Sequence, residues 1–303
     1  MKVLYLFHKG ANGYYLENVV REMNLFPDIS SSIVYFSRFK ESMLEEDYDV
    51  LIYETFPDEY NPKKFNKETV DYFDNIFLKF KGVKILHDTH DDGNKDGYTR
   101  FDDITPYPPV IKAFTGKYYP KIDYVILNTS LSLSDAKVYR DEFDRDISIS
   151  FKHGQIGVEY YPHYVRESVR KILKVNKDLP DVSYKRVEGR ENYIQELRRT
   201  LISVGCCGFG QYSGSYADCL KAGALLYAHC SLEDIHFLPN EDLVDGEDYI
   251  SWNSHNFHSK LKWLLDNPLL IDRVRKNGRE KFKKSFSYDR SAIKLINYLK
   301  KEV

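Results

Sequence analysis

Two stretches of the sequence place side chains at spacings that chemistry can use. Residues 201–215 read Leu-Ile-Ser-Val-Gly-Cys-Cys-Gly-Phe-Gly-Gln-Tyr-Ser-Gly-Ser. An apolar strand runs there into a loop carrying Gly208, Gly210, Ser213, Gly214 and Ser215. Glycine lets backbone N–H groups come close to an anion, and a helix opening at the loop adds partial positive charge. The same run also suits a plain strand-to-helix turn that needs glycine only for its dihedral angles, with Ser213 or Ser215 as N-cap. The second stretch is His87-Asp88-Thr89-His90-Asp91-Asp92, two imidazoles and three carboxylates directly after a short apolar run. Asp88, His90 and Asp91 are its candidates for a catalytic base. Such a cluster also suits a metal ion in a hydrolase, although no second group of acids and histidines stands out to complete that site. A capped polar loop is the third reading of the same residues.

The elements around these stretches decide where they lie. Apolar runs at Val3–Phe7, Ser32–Phe36, Val50–Glu54, Val83–Leu86 and Tyr124–Asn128 predict strands, with helices over Tyr14–Met23 and Lys67–Lys79. In the second helix Val70, Phe73, Ile76, Phe77 and Phe80 recur at three- and four-residue spacing, the mark of one buried face. The pattern restarts with strands at Ile147–Phe151, Val182–Val187, Leu201–Gly205 and Ala224–Ala228. Helices are predicted over His163–Lys174, Glu191–Thr200 and Tyr216–Ala222, and 258–303 reads as mostly helical. Strands that are apolar throughout and alternate with helices predict parallel sheets covered on both faces. Ligands of such sheets bind beyond the carboxyl ends of the strands, which is where both polar stretches fall. A boundary is placed near Asp141–Asp146, where four of the five residues 141–145 are charged. The chain is thereby divided into two α/β domains, 1–145 and 146–303.

Composition narrows the function classes. The 303 residues are 42% hydrophobic and 30% charged with net charge −2, a globular balance that offers no electrostatic case for nucleic acid. The opening apolar run stops at His8 and no later run approaches the length of a membrane span, so a cytoplasmic protein is expected. The cysteines, Cys206, Cys207, Cys219 and Cys230, do not match paired zinc knuckles and read as small buried side chains. From Lys260 onward there are 13 Lys/Arg against 5 Asp/Glu, a solvated helix face or a weak attraction to an anionic membrane surface.

The segment after the glycine run resembles glycosyltransferases of the GT-B fold, most closely the group 1 and spore-maturation (CgeB-like) types, and the likeness covers residues 180–290. Tyr216-Ala-Asp218-Cys-Leu-Lys221-Ala-Gly223-Ala-Leu-Leu226 is similar to the family's donor-site helix, in which an acidic residue opens a run like E-A-L-A-x-G. Asp242-Leu-Val-Asp-Gly-Glu-Asp-Tyr-Ile250 looks like its "lv-dGe-ey" strand. Leu261–Pro268 and Arg275-Lys-Asn-Gly278-Arg-Glu280 are similar to the helix and the "nGr" stretch after it.

The resemblance implies two Rossmann-like domains with a donor cleft between them, and transfer of a sugar from a UDP- or GDP-sugar to a glycan, lipid or protein acceptor. It implies no resident cofactor and no metal. By resemblance Asp218 contacts the nucleotide ribose, and Gly210, Ser213, Gly214 and Ser215, with Gly208 beside them, face the diphosphate. Lys152, Arg198 and Lys221 are candidate cations for the leaving group, and His153, opening the second domain, is a candidate cleft residue. One departure stands out: retaining members carry E-x7-E, and Gly210 occupies the position of the first Glu. A metal-dependent hydrolase built on His87–Asp92 and a non-catalytic nucleotide- or glycan-binding protein are the competing expectations.

Overall fold

The computed structural model describes residues 1–7, 14–54, 67–88, 109–112, 124–126, 144–153, 161–184, 187–206, 214–229, 232, 238, 241–285 and 288–303. The chain divides into two compact units. One comprises Met1–Leu133 with Ser287–Val303, the other Ser134–Phe286.

In the first unit, β1 (Lys2–Phe7), β2 (Ser30–Tyr35), β3 (Val50–Glu54), β4 (Val83–Asp88), β5 (Val110–Lys112) and β6 (Tyr124–Ile126) form one parallel sheet, in the order β2-β1-β3-β4-β5-β6. Helix α1 (Tyr14–Met23) follows β1 and α2 (Lys67–Lys79) follows β3. One sheet face, Leu4, Leu6, Leu51, Tyr53 and Leu86, clusters with Phe73, Ile76 and Phe77, which α2 contributes from its predicted apolar stripe. β1 from Val3 onward and all of β3 are buried, as a strand covered on both faces must be.

In the second unit, β7 (Ile147–Ser150), β8 (Val182–Ser183), β9 (Thr200–Gly205), β10 (Leu225–His229) and β11 (Ile250–Trp252) form a second parallel sheet, ordered β11-β10-β9-β7-β8. Helices α3 (Tyr161–Val175), α4 (Arg190–Arg199), α5 (Gly214–Ala222), α6 (Phe257–Leu265) and α7 (Pro268–Ser285) belong with it. The core gathers Ile149, Ile202, Val204, Leu225, Tyr227 and Trp252 from the sheet with Leu261, Leu264, Ile271 and Val274 from α6 and α7.

The last helix, α8 (Tyr288–Glu302), departs from the expected 146–303 domain: it packs on α1 and belongs to the first unit. Ala292, Leu295, Ile296 and Leu299 are buried along its apolar stripe, as are Leu16, Val19, Val20 and Met23 on α1. Four further details differ from the sequence reading. Strand β5 was not predicted, since Pro106, Pro108 and Pro109 directly before it mark a break, and β11 falls mostly beyond the stretch 242–250 where a strand was expected. The strand expected over 182–187 is reduced to Val182–Ser183. Within 242–250 the chain turns about Gly246, whose amide donates to the Tyr249 carbonyl at 2.8 Å, and strand geometry begins only at Ile250.

Candidate functional site

Both sheets are doubly wound. In each, the strand order reverses direction at one pair of neighbours, β1/β3 in the first unit and β7/β9 in the second. Connections leave such a pair toward opposite faces and open a crevice at the carboxyl edge. The residues ending those strands are therefore the ones to inspect.

In the second unit the glycine run follows β9. Gly205 ends that strand, and a Cβ placed there would lie 2.6 Å from the ring of Tyr216 on α5. The absence of a side chain thus lets α5 seat against the strand it follows. Gly208, Gly210 and Ser213 lie outside the described residues, whereas Gly214 begins α5 and Ser215 is half-buried in its first turn. Asp218 sits about 6 Å further along the axis and is buried. The helix ends in a Schellman motif: Ala224 N–H donates to Cys219 O at 3.1 Å and Gly223 N–H to Leu220 O at 3.0 Å. Gly223 has φ +74°, which explains glycine at that position of the A-x-G signature.

The "nGr" glycine also has a steric cause. A Cβ on Gly278 would lie 2.2 Å from the carbonyl oxygen of Asp248 and 2.9 Å from Leu220 of α5. Lys281, one turn later on α7, pairs with Asp248 at 2.6 Å, and Asp248 accepts the Val244 amide at 2.9 Å. Residues 218, 248 and 278 are thus held in one packed assembly around α5.

Two of the predicted cations lie elsewhere. Arg198 stands at the end of α4 beside the start of β9, and its Nη1 donates to Gln195 Oε1 at 3.0 Å. From Thr200 to Gly205 the strand climbs about 17 Å, so Arg198 is at the edge opposite the glycine run. Lys221 is near the end of α5, about 10 Å from its first residue, and buried. Helix polarity puts it near the start of β10, where Arg145 donates to Thr200 O and Ala222 O. Lys152, by contrast, follows β7 but turns its amine to Glu196 at 2.5 Å and Ser183 Oγ at 2.6 Å.

His153 follows the other strand of the reversing pair. Its Nε2 lies 3.0 Å from the Cys206 amide nitrogen and 2.9 Å from the Val204 carbonyl oxygen. Its own carbonyl accepts Arg170 Nη2 at 3.1 Å, and its ring sits 5.2 Å from that of Phe151. Burial first, and then the positive charge of Arg166, pull its pKa down to about 4, so the imidazole is neutral at physiological pH. At the end of β10, His229 is buried against the Trp252 ring, 4.6 Å away, and burial lowers its pKa as well. Nothing local marks His229 in sequence, since a histidine ending an apolar run reads as a strand terminus. Cys206 and Cys219 are buried thiols, as expected, and burial pushes the Cys219 thiol up to about 12.

In the first unit Asp88 ends β4 at the carboxyl edge, while His90 and Asp91 lie outside the described residues. Beside Asp88, His87 is fully buried, with Nδ1 2.9 Å from the Tyr5 hydroxyl. Register aligns His87 with Glu54, the last residue of β3, which is also buried. Burial, and then the carboxylates of Glu54 and Glu17, hold the Tyr5 phenol well above its usual range. Sequence reading found His87 but not Tyr5, Glu54 or Glu17, whose association depends on strand register. Among the described residues no group of three or more His, Cys, Asp or Glu is placed to hold a metal ion. Among them also, no helix is long and apolar enough to cross a membrane.

No protein-family model and no curated protein matches the chain by sequence. Solved structures do match in shape. Sucrose-phosphate synthase from Thermosynechococcus elongatus is similar over 99% of both chains, with TM-score 0.60 at 8% identity. An alpha-glucosyltransferase in complex with UDP and a 13-mer DNA with a central A:G mismatch is similar over 99% of this chain and 98% of that one, with TM-score 0.58 at 10% identity. The chain has the GT-B fold. A UDP-N-acetylglucosamine 2-epimerase shares it at TM-score 0.50 and 9% identity, over 99% of this chain and 95% of that one. At these identities the GT-B likeness is one of fold, and the residues themselves must carry any functional argument.

Proposed function

We propose that this protein is a glycosyltransferase that moves a sugar from a nucleotide-diphosphate donor to a glycan, lipid or protein acceptor, without a metal ion. The observation that carries the reading is the β9–α5 segment. A glycine-bearing connection leaves the reversing strand pair of the second sheet and enters a helix with a buried acid one turn in. The N-terminus of α5 thereby lies at the carboxyl edge of its sheet, where its N–H groups would meet a diphosphate. The full-length likeness to a UDP-bound glucosyltransferase and to a synthase supports the same reading and favours UDP over GDP.

In this mechanism the donor diphosphate leaves against oriented N–H groups of residues 208–215, with Asp218 accepting a ribose hydroxyl proton in a hydrogen bond. The acceptor hydroxyl gives its proton to a base of the first unit, drawn from Asp88, His90 and Asp91. Gly210 stands where a retaining enzyme has its first Glu, so the reading assigns no carboxylate there. Contact of the basic faces of α7 and α8 with an anionic membrane is a separate proposal, read out by co-sedimentation with phosphatidylserine vesicles.

The decisive experiment is a thermal-shift screen of UDP-, GDP-, CMP- and dTDP-sugars, followed by a donor-hydrolysis assay with and without EDTA. A UDP-sugar should raise the melting temperature, and slow donor hydrolysis should survive chelation. If no nucleotide stabilises the protein, the proposal fails. Binding with no hydrolysis or transfer would make it a binding protein, and activity abolished by EDTA would favour a metal-dependent hydrolase.

A further inference from the structure

We infer that His153 is a positioning residue: its neutral imidazole clamps the end of β9 across the reversing strand pair and fixes the backbone from which the glycine run departs. This inference rests on the donor-site reading for its functional consequence, but its structural content stands independently.

The geometry is specific. His153 follows β7 and the clamped residues end β9, so the contact spans the two strands between which the sheet changes direction. Nε2 accepts the Cys206 N–H at 3.0 Å, and Cys206 immediately precedes the run 207–213. An acceptor Nε2 requires the proton on Nδ1, a tautomer open only to the neutral ring. The backbone of His153 is itself held, since its carbonyl accepts Arg170 Nη2, and Arg170 pairs with Glu167 on the same helix. The Arg170 guanidinium also lies 5.6 Å from the centroid of the Phe151 ring, against which His153 packs. α3, β7 and β9 are in this way joined through one residue, by its carbonyl to α3 and its ring to β9.

The charges facing the ring are arranged to keep it neutral. Among the described residues, Arg166 and Arg170 approach from α3, with Glu167 engaged by Arg170, and the end of β9 contributes the buried Cys206. Protonation would turn Nε2 into a donor, and Val204 O, 2.9 Å away, is positioned to take that hydrogen. The ring would then exchange the Cys206 amide for the Val204 carbonyl and release the residue that opens the run.

The inference separates His153 from the role of touching the donor. A residue contacting the nucleotide directly would change affinity without altering the free protein. A clamp changes the free protein first.

The test compares the full-length wild type with His153→Leu, which removes both ring nitrogens, and His153→Gln, whose Oε1 can still accept the Cys206 amide. Amide hydrogen exchange at neutral pH, followed by mass spectrometry without nucleotide, is the first measurement. Exchange at residues 204–206 should rise roughly tenfold in the Leu variant and return to within about threefold of wild type in the Gln variant. The rest of the second unit should stay unchanged. In the second measurement the KM for a UDP-sugar should rise in the Leu variant and recover in Gln. Unchanged exchange at 204–206 in His153→Leu overturns the inference. So does an increase spread evenly over the unit, or a Gln variant that behaves like Leu. If the wild type binds no nucleotide, the functional proposal falls, while the exchange measurement still decides the clamp.

Discussion

The two units share one architecture and differ in what they bury at the carboxyl edges of their sheets. In the first, buried Tyr5 bonds His87, register sets His87 beside buried Glu54, and burial together with Glu54 and Glu17 keeps the phenol protonated. In the second, the described edge is built from Gly205, the start of α5 at Gly214 and an imidazole held neutral that accepts the Cys206 amide. The contrast lies in the residue types that one architecture carries at its two sets of strand ends. The same doubly wound sheet serves both because its strand ends fix where side chains converge, whereas the residue types there fix the chemistry.

The comparison is sharpened most by a matched pair of glycines. A Cβ on Gly82 in the first unit would meet Asp49 O at 2.3 Å, and one on Gly278 in the second would meet Asp248 O at 2.2 Å. Each alanine substitution should cost about 3 kcal/mol because a backbone carbonyl must move. If the units unfold separately, Gly82→Ala lowers one calorimetric transition and Gly278→Ala the other; a single transition lowered equally by both would break the division. The next effect is pH. The folded pKa of His153 lies below its unfolded value of about 6.5, near 4. Its contribution is therefore complete above the unfolded value and is lost as pH falls through that window, on the order of 3 kcal/mol. Denaturant titrations from pH 7.5 to 4 should show this loss in the second unit, and His153→Gln should flatten it.

Third, Asp218→Ala should weaken nucleotide binding by about 2 kcal/mol, as a buried hydrogen bond is lost. Isothermal titration on protein shown to be folded checks this, since the residue is buried and its removal also bears on stability. The smallest effect is Tyr5→Phe, which deprives His87 Nδ1 of its phenol partner and should cost about 1 kcal/mol by urea unfolding. Under the proposed function nucleotide affinity should not change in this variant.

Much of this fold was legible because strand–helix alternation is local. Val3–Phe7, Val50–Glu54 and the stripe from Val70 to Phe80 each carry their pattern within one element. Strand β5 did not, since Pro106, Pro108 and Pro109 directly before it break the apolar run. The site was partly legible. Asp218 and the glycines belong to a contiguous motif, whereas Gly223 is explained by the left-handed φ that ends α5 and Gly278 by its close approach to Asp248 and Leu220. Arg198 and Lys221 were chosen for charge alone, and helix direction sends both toward the other edge of the sheet. Pairings such as Tyr5 with His87, or His153 with Cys206, join positions 82 and 53 residues apart and leave no local trace.

The placement of α8 has a consequence for synthesis. A ribosome delivers the chain amino terminus first, so α1 emerges near the start while the helix that packs on it comes last. The second unit, Ser134–Phe286, is contiguous and can close as soon as it has emerged. The first must hold a flank of α1 uncovered until Ala292, Leu295, Ile296 and Leu299 arrive. The unit made first is therefore the one completed last, and a chain stalled before Tyr288 would carry a finished second unit attached to an unfinished first.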